Sequence, residues 1–230
     1  MKRVLAIILT MAMAFTLASC SIEKLLGGVL EVGDEDPGLK SAEELAETLT
    51  NFKMVLEYST TSEAKEKETE TWTEMRCDEG YMSAPGDSKQ ITYCEYGTGQ
   101  YYVLDTESKT GQVIKLSETE ESIYKTFSPG LSLHLFNSAF SGVSTFKNAG
   151  TEKIAGRNTT IYTFRLLVEY RIWVDDQLGI AMKSSWSVPG EGAFTTEIKE
   201  LKIGGVKLSD MVRLQDYEIA DLGDYSSYTD

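Results

Sequence analysis

Cys20 is the residue of this sequence whose surroundings most clearly indicate chemistry. It closes an apolar run over residues 4–17 that follows the basic pair Lys2 and Arg3. A basic start, a short apolar stretch and small residues before a cleavage point are typical of a secretory signal. The run is shorter than the roughly 20 apolar residues that a membrane-spanning helix needs. A cysteine thiolate is a nucleophile that can form a thioether.

The segment LASC, residues 17–20, resembles the lipobox of bacterial lipoproteins. That resemblance implies cleavage after Ser19, acylation of Cys20 by chains such as palmitate, and attachment to a bacterial membrane on its extracytoplasmic side. In a Gram-negative host, that membrane could be the outer membrane. Two or three acyl chains anchor a protein stably, whereas a single chain binds reversibly. The alternative is ordinary signal cleavage after the small residues 12–14, which would leave Cys20 in a free tail.

The composition indicates a folded, strongly acidic protein. Of 230 residues, 41% are hydrophobic and 10% aromatic, and the formal net charge is −14. Loss of residues 1–19 would make the mature chain more acidic still, because it removes Lys2 and Arg3. Such a charge disfavours binding to nucleic acid and to anionic lipid surfaces, since both would repel it. The predicted organisation is a signal peptide (1–19), a tether (20–39), one folded domain (40–214) and an acidic tail without regular structure (215–230).

The sequence motifs of common enzymes are absent. There is no Gly-x-Ser-x-Gly elbow, phosphate-binding loop or His-Glu-x-x-His motif. The single histidine, His134, lies in an apolar segment and has no evident catalytic partner. The acidic triplet at 34–36 lacks the ligand spacing of a calcium loop. No catalytic residue, metal site or cofactor is therefore predicted, and the protein is not expected to be an enzyme.

Two further cysteines, Cys77 and Cys94, lie in strand-like runs. Outside the cytoplasm, two such residues can form a cross-strand disulfide, which would add about 3 kcal/mol to the stability. The alternative is a pair of buried, unbonded thiols. Two cysteines without a nearby histidine are too few for a zinc site.

The first predicted element is a helix that begins with the capping box Ser41–Glu44. Its apolar residues Leu45, Leu49 and Phe52 have the spacing of one helix stripe. From Lys53 onward the period changes to two, which predicts strands joined by hairpins.

The later segments predict two more helices and then further strands. Residues 117–140 predict two short helices, the second of which contains His134. The last third predicts further hairpins, with turns at 156–158 and 175–179, where Gly, Asn and Asp suit left-handed backbone positions.

The order of these elements, together with the segments "KIAGRNTTIYTF", "RIWVDDQLGIAMK" and "TTEIKEL", resembles the LolA/LolB superfamily and its LppX and LprG relatives. In that superfamily a strand ending in Trp-Val-Asp, a turn ending in Gly and a strand with a basic residue follow one another. Trp173-Val174-Asp175, Gly179 and Lys183 occur here in that order. The resemblance covers about residues 41–212.

This resemblance implies an α+β fold in which a curled antiparallel sheet forms a half-barrel and helices pack on its concave side. It also implies an apolar cavity for acyl chains. Alternate residues of several strands can supply the apolar face of such a sheet. The predicted cavity residues are Met54, Leu56, Tyr58, Tyr162, Phe164, Leu166, Met182 and Trp186. The alternative is that these side chains pack against the helices in a filled core.

Three functions follow from these observations. The first is a membrane-anchored envelope lipoprotein that binds a lipid or other hydrophobic ligand without catalysis. The second is an envelope sensing or protein-interaction module without a small ligand, and the third is a structural surface lipoprotein. The sequence identifies neither the ligand nor a protein partner.

Overall fold

A computed structural model describes most of the chain after residue 34. The described residues are 35–61, 66–86, 89–127, 140, 143, 145–165, 168–188 and 192–224. The predicted signal, Cys20, His134 with most of the second predicted helix, and Leu166 lie outside these residues. Within the described part, no helix is both long and apolar enough to cross a membrane.

In the described part of the chain, twelve strands form one sheet. Their bounds are Phe52–Thr61 (β1), Lys67–Cys77 (β2), Gly80–Pro85 (β3), Gln90–Glu95 (β4), Gln100–Asp105 (β5), Thr110–Lys115 (β6), Lys147–Ile154 (β7), Arg157–Arg165 (β8), Glu169–Asp175 (β9), Ala181–Val188 (β10), Gly192–Ile203 (β11) and Glu218–Asp224 (β12). The described helices are Ala42–Thr48 (α1) and Glu118–Phe127 (α2), and two 3-10 turns span Leu208–Asp210 and Leu214–Asp216.

The sheet consists of two meanders joined at its centre. Its order is β12-β6-β5-β4-β3-β2-β1-β11-β10-β9-β8-β7. Strands β1–β6 and β7–β11 each follow one another as antiparallel neighbours, and β1 pairs with β11 along its whole length. Register shifts in the β1–β11 and β10–β9 pairs mark bulges, which bend a strand and increase its twist. The predicted class, a curled antiparallel sheet with helices on one face, is confirmed.

Both described helices lie against the same face of the sheet, here called the helix face. Directly opposed residues of neighbouring strands point to one face, and the register connects Met54 through Glu74 on β2 to the residues of β3 and β4. Leu45 and Leu49 of α1 pack with Met54 and Leu56, and Tyr124 of α2 packs with Tyr81 and Tyr101 on the same face. The other side of the sheet is called the opposite face.

The start of α1 confirms the predicted capping box. The Ser41 backbone N–H donates to Glu44 Oε2 at 2.8 Å, and the Glu44 N–H donates to Ser41 Oγ at 3.3 Å. Leu45 is 1% exposed and Leu49 is fully buried. One apolar stripe of a short helix therefore closes one end of the core.

The C-terminal segment differs from the prediction. Residues 215–230 were expected to be a tail, yet Glu218–Asp224 forms β12, parallel to β6. Ile219 of this strand packs on the opposite face, over an apolar cluster of Met82, Tyr93, Tyr102, Leu104 and Val113. The residues that pack there with it are Leu208, Met211, Val212, Leu214 and Tyr217. The acidic composition of the segment concealed the alternation of Tyr217 and Ile219. The packing of these two side chains against the apolar cluster holds the segment on the sheet. Residues 225–230 lie outside the described part.

The end of the predicted tether also contacts the sheet. The Glu35 N–H donates to the Phe146 carbonyl at 3.3 Å, and the Lys40 N–H donates to the Gly179 carbonyl at 3.0 Å. Leu39 packs against the cluster of Phe140 and Phe146. Residues 35–39 therefore belong to the folded part of the chain, because Leu39 packs against apolar side chains of the sheet.

Candidate functional site

An aromatic row crosses the helix face. It takes one ring from each of six neighbouring strands: Phe164, Tyr170, Trp186, Phe194, Tyr58 and Trp72, from β8, β9, β10, β11, β1 and β2. The first four rings contact one another in sequence at centroid distances of 5.0, 5.7 and 5.4 Å. Tyr58 and Trp72 form an edge-to-face pair at 6.5 Å.

The register places all six rings on one face. Phe164 lies opposite Tyr170, Tyr170 opposite Trp186, and Trp186 opposite Phe194. Tyr58 lies one pleat away from Phe194, since its partner on β11 is Thr196. Phe164 is buried, whereas the other five rings are only partly buried. Five of the six rings therefore form a broad, partly exposed apolar surface on the helix face.

The structure brings seven of the eight predicted cavity residues to the helix face. Met54, Leu56 and Met182 are buried at 0–1% exposure in the cluster that contains Leu45 and Leu49 of α1. Here these three side chains are packed core. Tyr58, Trp186 and Phe164 belong to the aromatic row, and Tyr162 packs against Phe146 at 6.1 Å. The eighth residue, Leu166, lies outside the described part. That this set lines a ligand site stays a prediction.

Polar groups interrupt the apolar surface on β2. Trp72, Glu74 and Arg76 alternate along this strand and all face the helices. The Trp72 indole N–H donates to Ser83 Oγ at 2.6 Å. Glu74 is 1% exposed and Arg76 is 5% exposed. Burial of a charged group is costly unless it is paired, so this strand is an unusual part of the face.

Tyrosines surround Arg76 on one side. Tyr81 lies directly opposite Arg76 on β3, and Tyr124 of α2 contacts the rings of Tyr81 and Tyr101 at 5.9 and 5.3 Å. Burial raises the pKa of Tyr81 and of Tyr124 well above the ordinary value. These hydroxyls are therefore protonated at neutral pH and can donate hydrogen bonds.

The sequence analysis assigned no role to Arg76, Tyr81, Phe194 or Tyr170. A signal was present for the first, because TWTEMRC places Trp72, Glu74 and Arg76 at every second position of a predicted strand. Two charges on the face that also carries a tryptophan would mark an unusual strand. The pairing of Arg76 with Tyr81 needed the register of β2 and β3, which no local pattern supplies.

The structure contains no disulfide between Cys77 and Cys94, one of the two alternatives that the sequence left open. Cys77 and Cys94 are both free and buried. Cys77 lies opposite Gly80, while Cys94 lies opposite Tyr81, the next residue along β3. Since successive residues of a strand point to opposite faces, the two thiols are on different sides of the sheet. Burial raises the pKa of Cys94 to about 12, which makes its thiol unreactive at neutral pH.

The centre of the opposite face carries charged side chains. Lys199 contacts Glu197 at 2.8 Å and Glu57 at 3.3 Å, and Lys183 contacts Glu197 at 3.3 Å. Burial would raise the pKa of Glu197, but the hydrogen bonds and charges of Lys199 and Lys183 lower it overall. The two faces of the central strands thus differ sharply, one aromatic and one ionic.

The described surface includes the following two hollows. One, of about 260 Å³, is lined by Tyr162, Lys40 and Asp176 beside the β9–β10 turn. The other is an open groove of about 880 Å³ on the opposite face, between Tyr93 and the C-terminal residues Leu208, Val212 and Leu214. Among the described residues, no group of three or more His, Cys, Asp or Glu side chains is arranged to hold a metal ion.

Comparison with known proteins gives solved structures only. No family model and no curated protein matches the sequence. Among solved structures, MucB in complex with MucA(peri) has a TM-score of 0.45 and 12% identity, over 77% of this chain and 58% of MucB. The chain therefore spans less than two thirds of MucB.

Two other solved structures span this chain to a similar extent. The LolA superfamily protein NE2245 from Nitrosomonas europaea has a TM-score of 0.30 and 9% identity, over 75% of this chain and 96% of its own. A DUF1329 family protein from Desulfovibrio piger has a TM-score of 0.28 and 11% identity, over 78% and 98%. A member of the LolA superfamily, which the sequence resembles, is therefore among the solved structures that are similar to this chain. All three TM-scores are below 0.5, so the fold assignment rests on this chain's own strand order and register.

Proposed function

We propose that this protein is a lipid-anchored component of a bacterial envelope whose helix face binds a lipid or another hydrophobic ligand without catalysing a reaction. The aromatic row is the observation that carries this proposal. Five of its six rings are partly exposed, and contiguous apolar surface of this kind marks binding sites more often than isolated exposed residues do. The anchor is expected from the lipobox at residues 17–20.

The chemistry of the row suits an acyl chain. Ring faces and edges give a wide apolar contact without a hydrogen-bonding pattern, which fits a ligand that is itself apolar and flexible. The ionic centre of the opposite face offers no such contact. A ligand bound along the row would contact strands from both meanders, since β8–β11 and β1–β2 contribute to it.

A fluorescent fatty acid tests the proposal. In the full chain carrying Cys20→Ser, which removes the predicted acylation, cis-parinaric acid should gain fluorescence on binding. Trp186→Ala and Phe194→Ala should each weaken binding about tenfold. Tyr217→Ala removes a partly buried ring from the opposite face and should leave binding unchanged. A bare polypeptide mass in native mass spectrometry, with no fluorescence gain from the added probe, would contradict the proposal.

The open groove on the opposite face favours a second candidate, a protein-interaction module. Its apolar residues Leu208, Val212 and Leu214 lie beside Glu79, Glu95 and Arg213, a mixture typical of protein interfaces. A photo-crosslinker at the exposed Ser209 should then give one discrete adduct in the host envelope, and Leu214→Asp should remove it. Persistence of the adduct in Leu214→Asp would count against this candidate.

A further inference from the structure

Three buried side-chain donors on the helix face have no hydrogen-bond partner among the described residues. They are Arg76 Nη1, the Tyr81 hydroxyl and Ser184 Oγ. Arg76 is 5% exposed, Tyr81 2% and Ser184 0%. A buried polar group without a partner carries its full desolvation penalty, and such groups in native proteins call for an explanation. Ser184 lies on β10, three strands from Arg76, so it is treated separately.

Arg76 and Tyr81 are neighbours in the sheet. They are directly opposed on β2 and β3 and share the helix face, where side chains of such a pair approach closely. Both groups can donate a hydrogen bond: a guanidinium only donates, and the buried phenol stays protonated. Arg76 thus has an unused N–H that matches an acceptor oxygen, and the Tyr81 hydroxyl beside it also interacts with Glu74 and Ser83.

The charge of Arg76 indicates what kind of acceptor. Among the described residues it is the one basic side chain that is buried, and it makes no ion pair there. Burial lowers the pKa of Arg76, while the nearby Tyr96, Asp78 and Tyr81 oppose that effect. An arginine nevertheless keeps its charge in proteins, and a buried charge favours an anion as its partner.

Other charges near the site must be weighed. Glu74 lies on the same face one pleat along β2 and is 1% exposed, so its carboxylate would weaken the attraction of an anion. Lys125 of α2 lies over the Tyr96 ring at 5.3 Å and adds positive charge on the helix side. Charge-assisted hydrogen bonds from a guanidinium are short and directional, which allows the donor pair to hold an anion in spite of Glu74.

We propose that Arg76 and Tyr81 bind an anionic oxygen of the ligand, a carboxylate or a phosphate, while the aromatic row holds its apolar chain. This inference rests on the proposed function. Trp72 of the row lies four residues from Arg76 on the same strand and face, a separation of about 13 Å. A long-chain amphiphile can span that distance. The ligand class is therefore an anionic lipid or fatty acid.

The test compares a charged and an uncharged probe of the same chain length. The full chain carrying Cys20→Ser should bind cis-parinaric acid about tenfold more tightly than methyl cis-parinarate. Arg76→Gln and Tyr81→Phe should remove this preference and leave the ester affinity unchanged. Glu74→Gln should tighten binding of the acid. Arg171→Gln, which changes an exposed arginine on the opposite face, is the matched control and should keep the tenfold preference.

Two further measurements on the protein without a change at Arg76 test the anion site even where a variant folds poorly. In the unsubstituted site, oleate should raise the thermal midpoint more than methyl oleate does, a measurement that needs no change at Arg76. Inorganic phosphate added at millimolar concentration tests whether a free anion takes the place of the headgroup. Displacement of the acid by phosphate, lost in Arg76→Gln, would support the anion site and assign it to a free ion.

The outcomes separate the two proposals. Equal affinity for acid and ester, together with no effect of Arg76→Gln, would overturn the anion site and leave the hydrophobic site intact. Failure of both probes to bind would overturn the proposed function itself. A preference for the acid that persists in both Arg76→Gln and Tyr81→Phe would place the anion elsewhere and overturn this inference.

Discussion

At the scale of single residues, Asp175 shows how one buried carboxylate fixes a turn. It is 2% exposed, and its Oδ1 accepts the N–H groups of Gln177 and Leu178 at 2.9 and 2.7 Å. Arg157 donates from Nε to Oδ2 and from Nη2 to Oδ1. Burial would raise the pKa of Asp175, but these hydrogen bonds and the charge of Arg157 lower it. The β9–β10 turn therefore depends on an ionised Asp175.

Asp175→Asn should lower the free energy of unfolding by about 3 kcal/mol at pH 7, because it leaves the Arg157 charge without its partner. The folded pKa of Asp175 is lowered, so its stabilisation is present above the unfolded pKa of about 3.9 and is lost as the pH falls through the folded value. Urea unfolding at a series of pH values should show that the difference in unfolding free energy between wild type and variant becomes smaller at acid pH. A gap that is the same at all pH values would contradict this account.

At the scale of elements, α1 stabilises the sheet through two leucines. Leu49→Ala should cost about 3 kcal/mol, since its side chain is fully buried among Met54, Met182 and Ile198. Glu47→Ala, on the exposed side of the same helix, is the control and should change the stability by less than about 0.5 kcal/mol. Urea unfolding at pH 7 measures both. Equal effects would mean that α1 does not hold the core together.

The C-terminal strand makes a second prediction at this scale. Ile219→Ser should lower the stability by about 1–2 kcal/mol, because Ile219 covers the apolar cluster of the opposite face. Amide hydrogen exchange of β6 should then become faster, as this strand loses its protection when β12 detaches. Asp221→Ser changes an exposed residue of the same strand and should leave both measurements unchanged. Unaltered exchange in Ile219→Ser would contradict a role for β12 in covering β6.

Local patterns in the sequence predicted much of this fold and less of the site. The capping box at Ser41 and the alternation from Lys53 identified α1 and β1, because caps and periodicity act within a few residues. The parallel strand β12 was missed, since its stability comes from residues over 100 positions away. The same holds for Arg76 and Phe194, whose neighbours on the helix face are set by register between strands.

At the scale of the whole molecule, the aromatic row depends on the central pairing of β1 with β11. This pairing joins the two meanders, and it places Tyr58 and Trp72 from one meander beside Phe194 and Trp186 from the other. Neither meander alone carries the whole surface. The same arrangement puts the ionic ladder of Glu57, Lys199 and Glu197 on the other side. The central strands thus have an apolar side and an ionic side, and the proposed ligand site depends on this difference.

The last prediction concerns the proposed lipid anchor at Cys20. Expressed in bacteria, the chain should fractionate with membranes and, after cleavage at Ser19, carry the added mass of a diacylglyceryl or triacyl group on Cys20. Cys20→Ser should shift it to the soluble extracytoplasmic fraction, because burial of the acyl chains supplies the membrane affinity. Cys94→Ser, which changes a buried thiol of the sheet, should stay with the membrane if it folds. An unmodified Cys20, or a Cys20→Ser protein that stays membrane-bound, would contradict lipidation and point to ordinary cleavage near residues 12–14.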